Sequence, residues 1–201
     1  MRLYHAPGTR GTRVVWTLEE IGEPYEVTIV TREDRGSEEH RRRQPLGRVP
    51  AIELDDGRTI FESAAICLHL ADLHPDAGLI AEVGTYERGL TYQWSVFAVA
   101  EVEKRVFAWL FAKRKGEDLT EHANGFEPIA DALRDAVREQ PWLAGETFTV
   151  ADILCASMIG NAFNRELLTE EGPLRDWALR AQRRPANLRA EDRDRQARQP
   201  A

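Results

Sequence analysis

Two short pieces of the chain carry complementary chemistry about a dozen residues apart: a Val49-Pro50 step that opens an apolar run, and a Glu62-Ser63 pair that opens an amphipathic stretch. An X-Pro bond at the mouth of a strand can be held cis, which turns the Val49 amide and carbonyl outward to pair with an extended ligand as a short strand would. Ser63 as N-cap of the following helix sets a hydroxyl and unpaired backbone N–H groups before a ligand carboxylate, with Glu62 beside it for an ammonium. A capped helix after an ordinary turn accounts for Glu-Ser alone. The pairing with Val49-Pro50 argues for a grip on a small peptide.

Those pieces need elements to hold them. Over the first 74 residues strand and helix signals alternate: Arg2 to His5 extended, Gly11 to Ile21 helical, Tyr25 to Val30, Val49 to Leu54 and Thr59 to Phe61 extended, Ser63 to Leu73 helical. His74-Pro75 closes the last helix, because the residue before a proline is pushed out of the α region. The expected boundaries are a first domain over 1–76, a linker over 77–84 and an all-helical domain over 85–201. In the latter, Thr85 to Lys115 carries Leu90, Trp94, Phe97, Glu101, Arg105 and Ala108 at helical spacing, followed by Leu119 to Glu139, Val150 to Arg165 and Pro173 to Gln182. From Arg183 onward apolar side chains almost vanish, so Arg189 to Ala201 reads as a last exposed helix or as disorder.

Composition bounds the partners. A chain of 201 residues with 42% hydrophobic content builds a real core, and a net charge of -7 supplies no basic excess for nucleic acid. Arg41-Arg42-Arg43 is a local exception just before the Val49 step, and the whole run Glu33 to Arg43 reads as a solvated, mobile segment. Cys67 and Cys155 lie far apart in apolar helical contexts, which suits buried thiols in a reducing, cytoplasmic setting and implies no metal and no disulfide framework. No charged start leads into an apolar core, and no run nears ~18 apolar residues, so neither export nor membrane spanning is expected.

The segment Gln44-Pro45-Leu46-Gly47-Arg48-Val49-Pro50-Ala51-Ile52, the Asp55-Asp56-Gly57 turn and Glu62-Ser63-Ala64-Ala65-Ile66 together resemble the glutathione-binding half of the cytosolic glutathione transferases. Leu3 to Arg10, Arg13 to Trp16 and Leu18 to Gly22 look like that family's first strand and helix, and Phe148-Thr149-Val150-Ala151-Asp152-Ile153 like its core capping box. The resemblance covers nearly the whole chain. It implies an α/β thioredoxin-like N-terminal domain followed by an all-α C-terminal domain, glutathione as co-substrate with no metal, and a homodimer. It further implies that Val49 and Pro50 meet the cysteinyl backbone, Glu62 and Ser63 the γ-glutamyl end and Arg48 the glycyl end. Thr149 and Asp152 then have a structural part, as the N-terminal box of a buried helix.

The family sets a Tyr, Ser or Cys near the first helix to donate a hydrogen bond to the glutathione sulfur, and this chain offers Thr9-Arg10-Gly11-Thr12 there. Thr9 aligns with the serine of serine-type relatives, with Thr12 and Arg10 as alternatives, while a threonine here equally suits helix capping. No cysteine precedes Cys67, so disulfide exchange of the glutaredoxin kind lacks its nucleophile. His5 is more often a rim or packing residue than a base. Glu101 and Arg105 are candidates for the pocket of a small hydrophobic electrophile, on a helix whose inner face usually lines that pocket in the family. The activity implied is attack of the glutathione thiolate on such an electrophile in detoxification. A glutathione-dependent isomerase or dehalogenase, or a binding or regulatory protein without catalysis, stands as the alternative.

Overall fold

A computed structural model describes residues 1–198 of the chain. β1 (Arg2–His5) runs parallel to β2 (Glu26–Ile29) and antiparallel to β3 (Ala51–Glu53), and β3 runs antiparallel to β4 (Thr59–Phe61), in the order β2-β1-β3-β4. Helix α1 (Gly11–Ile21) makes the crossover between the two parallel strands, the connection that parallel pairing demands. Leu3, Tyr4 and His5 are all buried, as befits an inner strand with both faces covered. This is the thioredoxin-like mixed sheet that the alternating strand and helix signals imply.

Helix α1 buries Val14, Val15, Trp16 and Leu18 and ends at Gly22, whose left-handed φ of 81° lets its N–H reach the Leu18 carbonyl. Helix α3 (Ser63–Leu73) packs against α1 and stops where His74-Pro75 requires. The run Glu33 to Arg43, expected to be mobile, forms a 3-10 turn (Asp34–Gly36) and helix α2 (Glu38–Arg43). Ser37 caps α2 by accepting the His40 N–H, Glu38 and Glu39 fill its first turn, and arginines fill its last, which suits the helix dipole at both ends. Ordered charge, rather than apolar burial, makes this helix.

Residues Gly78–Arg183 form a second compact unit. Helix α4 (Tyr86–Phe97) runs through a π turn (Ala98–Val102) into α5 (Glu103–Lys115), followed by α6 (Thr120–Asn124), α7 (Glu127–Ala136), α8 (Val150–Asn164) and α9 (Pro173–Gln182). The single helix expected over Leu119 to Glu139 is thus two. Pro128 lacks the N–H that would continue α6 to the Asn124 carbonyl, and it stands instead in the first turn of α7, where that N–H is not needed. Helix α8 is buried nearly all round and packs against α4 and α9. At its start Asp152 accepts the backbone N–H of Leu143 at 3.0 Å and of Thr149 at 2.9 Å, the Trp177 indole at 3.0 Å and the Thr149 hydroxyl at 3.3 Å. Burial pushes its carboxyl up, against the pull of all four donors.

The chain from Arg184 onward clusters with Met1–Ala77 and not with the helical unit, so the division differs from a C-terminal domain over 85–201. Helix α10 (Pro185–Gln196) accounts for most of Arg189 to Ala201, and residues 199–201 lie outside those described. It packs against α1 with few apolar atoms, burying Ala186 and Ala190. Charge completes the seat: Arg184 grips both oxygens of Glu20, while Arg189 and Arg193 take one oxygen each of Glu19. Pairs so distant in sequence leave no periodic signal, which is why the reading by pattern misses them.

The Asp152 network sets an expectation for stability. Asp152→Asn turns an NH2 toward donors that need an acceptor, so the unfolding free energy should fall by about 2 to 3 kcal/mol. Urea titration checks it, with the midpoint lowered and the slope unchanged.

Candidate functional site

Strand register brings three sequence-distant pieces to one end of the sheet. Tyr4 pairs with Ala51 and Ala51 with Phe61, so the exit of β1, the entry of β3 and the exit of β4 lie side by side. What adjoins them is therefore the turn Ala6 to Thr12, the Val49-Pro50 step and Glu62-Ser63. Helices α1 and α3 both begin there, and their first N–H groups make that end of the unit favourable to anions. The Val49–Pro50 peptide bond is cis.

The turn before that bond is held by residues that sequence reasoning missed. Gln44 Oε1 accepts the N–H groups of Leu46 at 2.8 Å and Arg48 at 3.0 Å, and His40 Nε2 donates to the Arg48 carbonyl at 2.7 Å. Both side chains are buried. Gly47, at φ 62°, lies so near the Arg35 carbonyl that a Cβ would come within 2.5 Å of its oxygen. Val49 is buried beside Tyr4, Ala6 and Ala51, while Arg48 is exposed. The signal that could have revealed His40 and Gln44 is the capped charge pattern of α2, whose four-residue spacing aims both at the following loop.

Glu62, not Ser63, is the N-cap of α3, and Ser63 is its first helical residue. Glu62 sits at φ 71° and ψ 113°, a backbone conformation that a non-glycine residue adopts only at a cost, and such residues gather at binding sites. The corner between β4 and α3 absorbs that turn in one residue. Ser63 is only 3% exposed.

Thr9 and Thr12 both have their hydroxyl protons engaged, the first within the turn and the second on α10. The Thr9 hydroxyl donates to the Ala6 carbonyl at 2.7 Å and accepts the Gly11 N–H at 3.2 Å, while the Thr12 hydroxyl donates to Asp194 at 2.6 Å. The Thr12 bond to Asp194 is charge-assisted and the stronger, so the Thr9 hydroxyl is the more easily redirected. Arg10, half-buried, is the N-cap residue of α1 without a capping bond from its side chain. His5, far from the rim, is buried and meets Asp194 through Nε2 at 2.7 Å. Burial alone would raise the Asp194 carboxyl, but the bonds from His5, Thr12 and Gly8 outweigh it and hold the group below its ordinary range.

Glu101 and Arg105 belong to the helical unit, four residues apart on the π turn and α5, and both are exposed. They line no part of a roughly 240 Å³ open cavity in that unit, whose lining includes Phe163, Asn164, Leu168, Arg175 and Gln182. Cys67 is buried, with the Thr17 hydroxyl 3.2 Å from its sulfur, and burial pushes its thiol up to about 11. Cys155 is buried too. Neither is placed for redox exchange. Among the described residues no group of His, Cys, Asp and Glu is arranged to hold a metal ion, and no helix is long and apolar enough to cross a membrane.

Residues 10–73 match a family profile described as glutathione S-transferase, N-terminal domain. Glutathione S-transferase GstA of Escherichia coli O157:H7 is 28% identical over 85% of this chain and 86% of its own length. Glutathione S-transferase hmp2 of Hypomyces subiculosus is 31% identical over 70% of this chain and 73% of its own. Among solved structures, a sphingomonad glutathione S-transferase complexed with glutathione superposes with a TM-score of 0.80 at 28% identity, covering 96% of this chain and 98% of that one.

Proposed function

Because the chain belongs to the glutathione S-transferase family, we propose that it binds glutathione at the end of the sheet where β1, β3 and β4 bring their loops together, and conjugates it to a small hydrophobic electrophile. The observation that carries this reading is the register Tyr4 to Ala51 to Phe61, which sets Val49 and Ser63 beside the turn that opens α1. In this reading the Val49 backbone, after which Pro50 stands cis, pairs with the cysteinyl unit, and Arg48 meets the glycyl carboxylate. Glu62 takes the γ-glutamyl ammonium, and Ser63 with the first N–H groups of α3 takes its carboxylate. The exposed Arg48 and Glu62 and the place of Ser63 at the first position of α3 support those parts.

The chemistry needs a thiolate. A thiol of pKa ~8.5 is mostly protonated at neutral pH, and lowering it by about two units takes roughly 2.7 kcal/mol of preference for the anion. Thr9 donates to the sulfur by exchanging the Ala6 carbonyl for it, with the opening of α1 behind it; Arg10 and Thr12 are the alternatives. The thiol proton passes to solvent, the sulfur electron pair forms a bond to the electrophilic carbon, and the displaced group departs. Glu101 and Arg105 are assigned to the electrophile's pocket. As a second reading, the commitment of both threonine hydroxyls, to the Ala6 carbonyl and to Asp194, favours a protein that grips glutathione without activating it. Turnover of chlorodinitrobenzene separates the two. The setting proposed is cytoplasmic detoxification by a homodimer, and the exposed stripe Tyr92, Val96 and Val99 along α4 and the π turn supports a second copy as its cover.

Three outcomes are expected. Ser63→Ala should weaken glutathione binding roughly ten- to a hundredfold, the worth of a charge-assisted bond of about 1.5 to 3 kcal/mol. An unchanged dissociation constant by calorimetry, in a folded variant, places the grip elsewhere. Light scattering should return twice the mass of one chain at micromolar concentration, and a strict monomer counts against the dimer. Thr9→Val should keep glutathione affinity within a few-fold while raising the apparent pKa of the bound thiol by about one unit or more, seen as a rightward shift in the pH profile of turnover. Thr12→Val should move it much less, and the reverse order transfers the role to Thr12.

A further inference from the structure

The turn that opens α1 is fastened by a residue far along the chain. Asp194, near the end of α10, is buried, and one of its oxygens accepts both the Gly8 N–H at 2.7 Å and the Thr12 hydroxyl at 2.6 Å. Its other oxygen meets His5 Nε2 at 2.7 Å. One carboxylate thus ties the end of β1, the middle of the turn and the first turn of α1. Four residues on, the Arg198 guanidinium lies over the Gly8 Cα, where a Cβ would come within 2.1 Å of Nη2. Gly8 stands at φ 72°, so the turn depends on glycine for its backbone, while the Arg198 side chain is free to move aside.

We infer that Asp194 is a positioning residue for the sulfur-handling turn: it fixes Gly8 and Thr12 from within and thereby aims Thr9 and Arg10, which lie between them. The inference rests on the reading of this turn as the place where the glutathione sulfur is held. Three bonds converge on one buried carboxylate, two of them on a single oxygen, which is more constraint than seating α10 requires. The seat already has its own ion pairs at the other end of α1, through Glu19 and Glu20. By engaging Thr12 the same carboxylate also decides which threonine hydroxyl can turn toward a ligand. The titratable group that meets Asp194 is His5 from β1, and the Arg198 guanidinium stands by Gly8.

Two uncharged variants separate the grip from the charge. In Asp194→Asn the amide oxygen still accepts from Gly8 and Thr12, and the amide NH2 donates to His5 Nε2 once that ring carries its proton on Nδ1. In Asp194→Ala every one of these bonds is lost. The full-length protein is assayed for chlorodinitrobenzene conjugation across pH, with the thiolate absorbance of bound glutathione as the second readout. Relative to Asp194→Asn, Asp194→Ala should raise the glutathione KM about tenfold and the bound-thiol pKa by about half a unit or more, since the aim of the donor is lost while the charge is equal. Should Asp194→Ala fail to fold, Asp194→Ser, too short to span the bonds, takes its place with the same ordering. If the two variants superimpose in KM and in pH profile and differ only in melting temperature, Asp194 merely seats α10 and the inference is overturned. If the wild-type protein binds glutathione with no titrating thiol, the proposed transferase reading fails first and takes the inference with it.

Discussion

The antiparallel register of β1, β3 and β4 is the constraint on which the candidate site depends. Side chains alternate along a strand, so a slip of one residue between β1 and β3 would put Leu3 and Ile52 on opposite faces of the sheet, break the packing of both, and carry Val49 away from the turn that opens α1. Both residues are fully buried, which makes the slip costly. The loops that meet there have no strand pairing of their own. Their geometry is inherited from strands a few residues long, and the supporting bonds of Gln44, His40 and Asp194 refine what the register establishes.

Much of this first unit was legible in the residues. Period-two and helical apolar patterns announced β1, α1, β4 and α3, and His74-Pro75 announced where α3 ends, because apolar burial and proline stereochemistry act over short stretches. The Thr149 and Asp152 spacing likewise announced a helix start, although nothing local revealed that Leu143 and Trp177 would also donate to that carboxylate. Helix α2 escaped notice since its stability comes from capping and dipole complementarity in a run of charges, which composition alone scores as solvated. Glu62 and Ser63 were found as a pair but shifted by one place. A positive φ at a glutamate contradicts local preference, and only the requirement to turn from β4 into α3 explains it.

The roles of the two threonines were the least legible part of the site. Spacing set both near the opening of α1, but a hydroxyl has one proton, and where it goes depends on acceptors contributed by Ala6 and by Asp194. The second of these lies 182 residues away. Polar networks of this kind are specified by three-dimensional coincidence and have no period to read. Helix α10 illustrates the same limit: its arginines look like a solvated face until Glu19 and Glu20 are seen opposite them.

The first unit is assembled from both ends of the chain, with the helical unit, contiguous from Gly78 to Arg183, in between. During synthesis the sheet and its helices leave the ribosome early, yet the Gly8 turn and the acidic end of α1 lack their partners until α10 emerges. The helical unit is contiguous in sequence and complete by Arg183, so its chain is available before α10 emerges. A chain halted before Pro185 therefore holds a sheet with Glu19 and His5 unpartnered by α10, and the loop that opens α1 is completed only after the helical unit has been made.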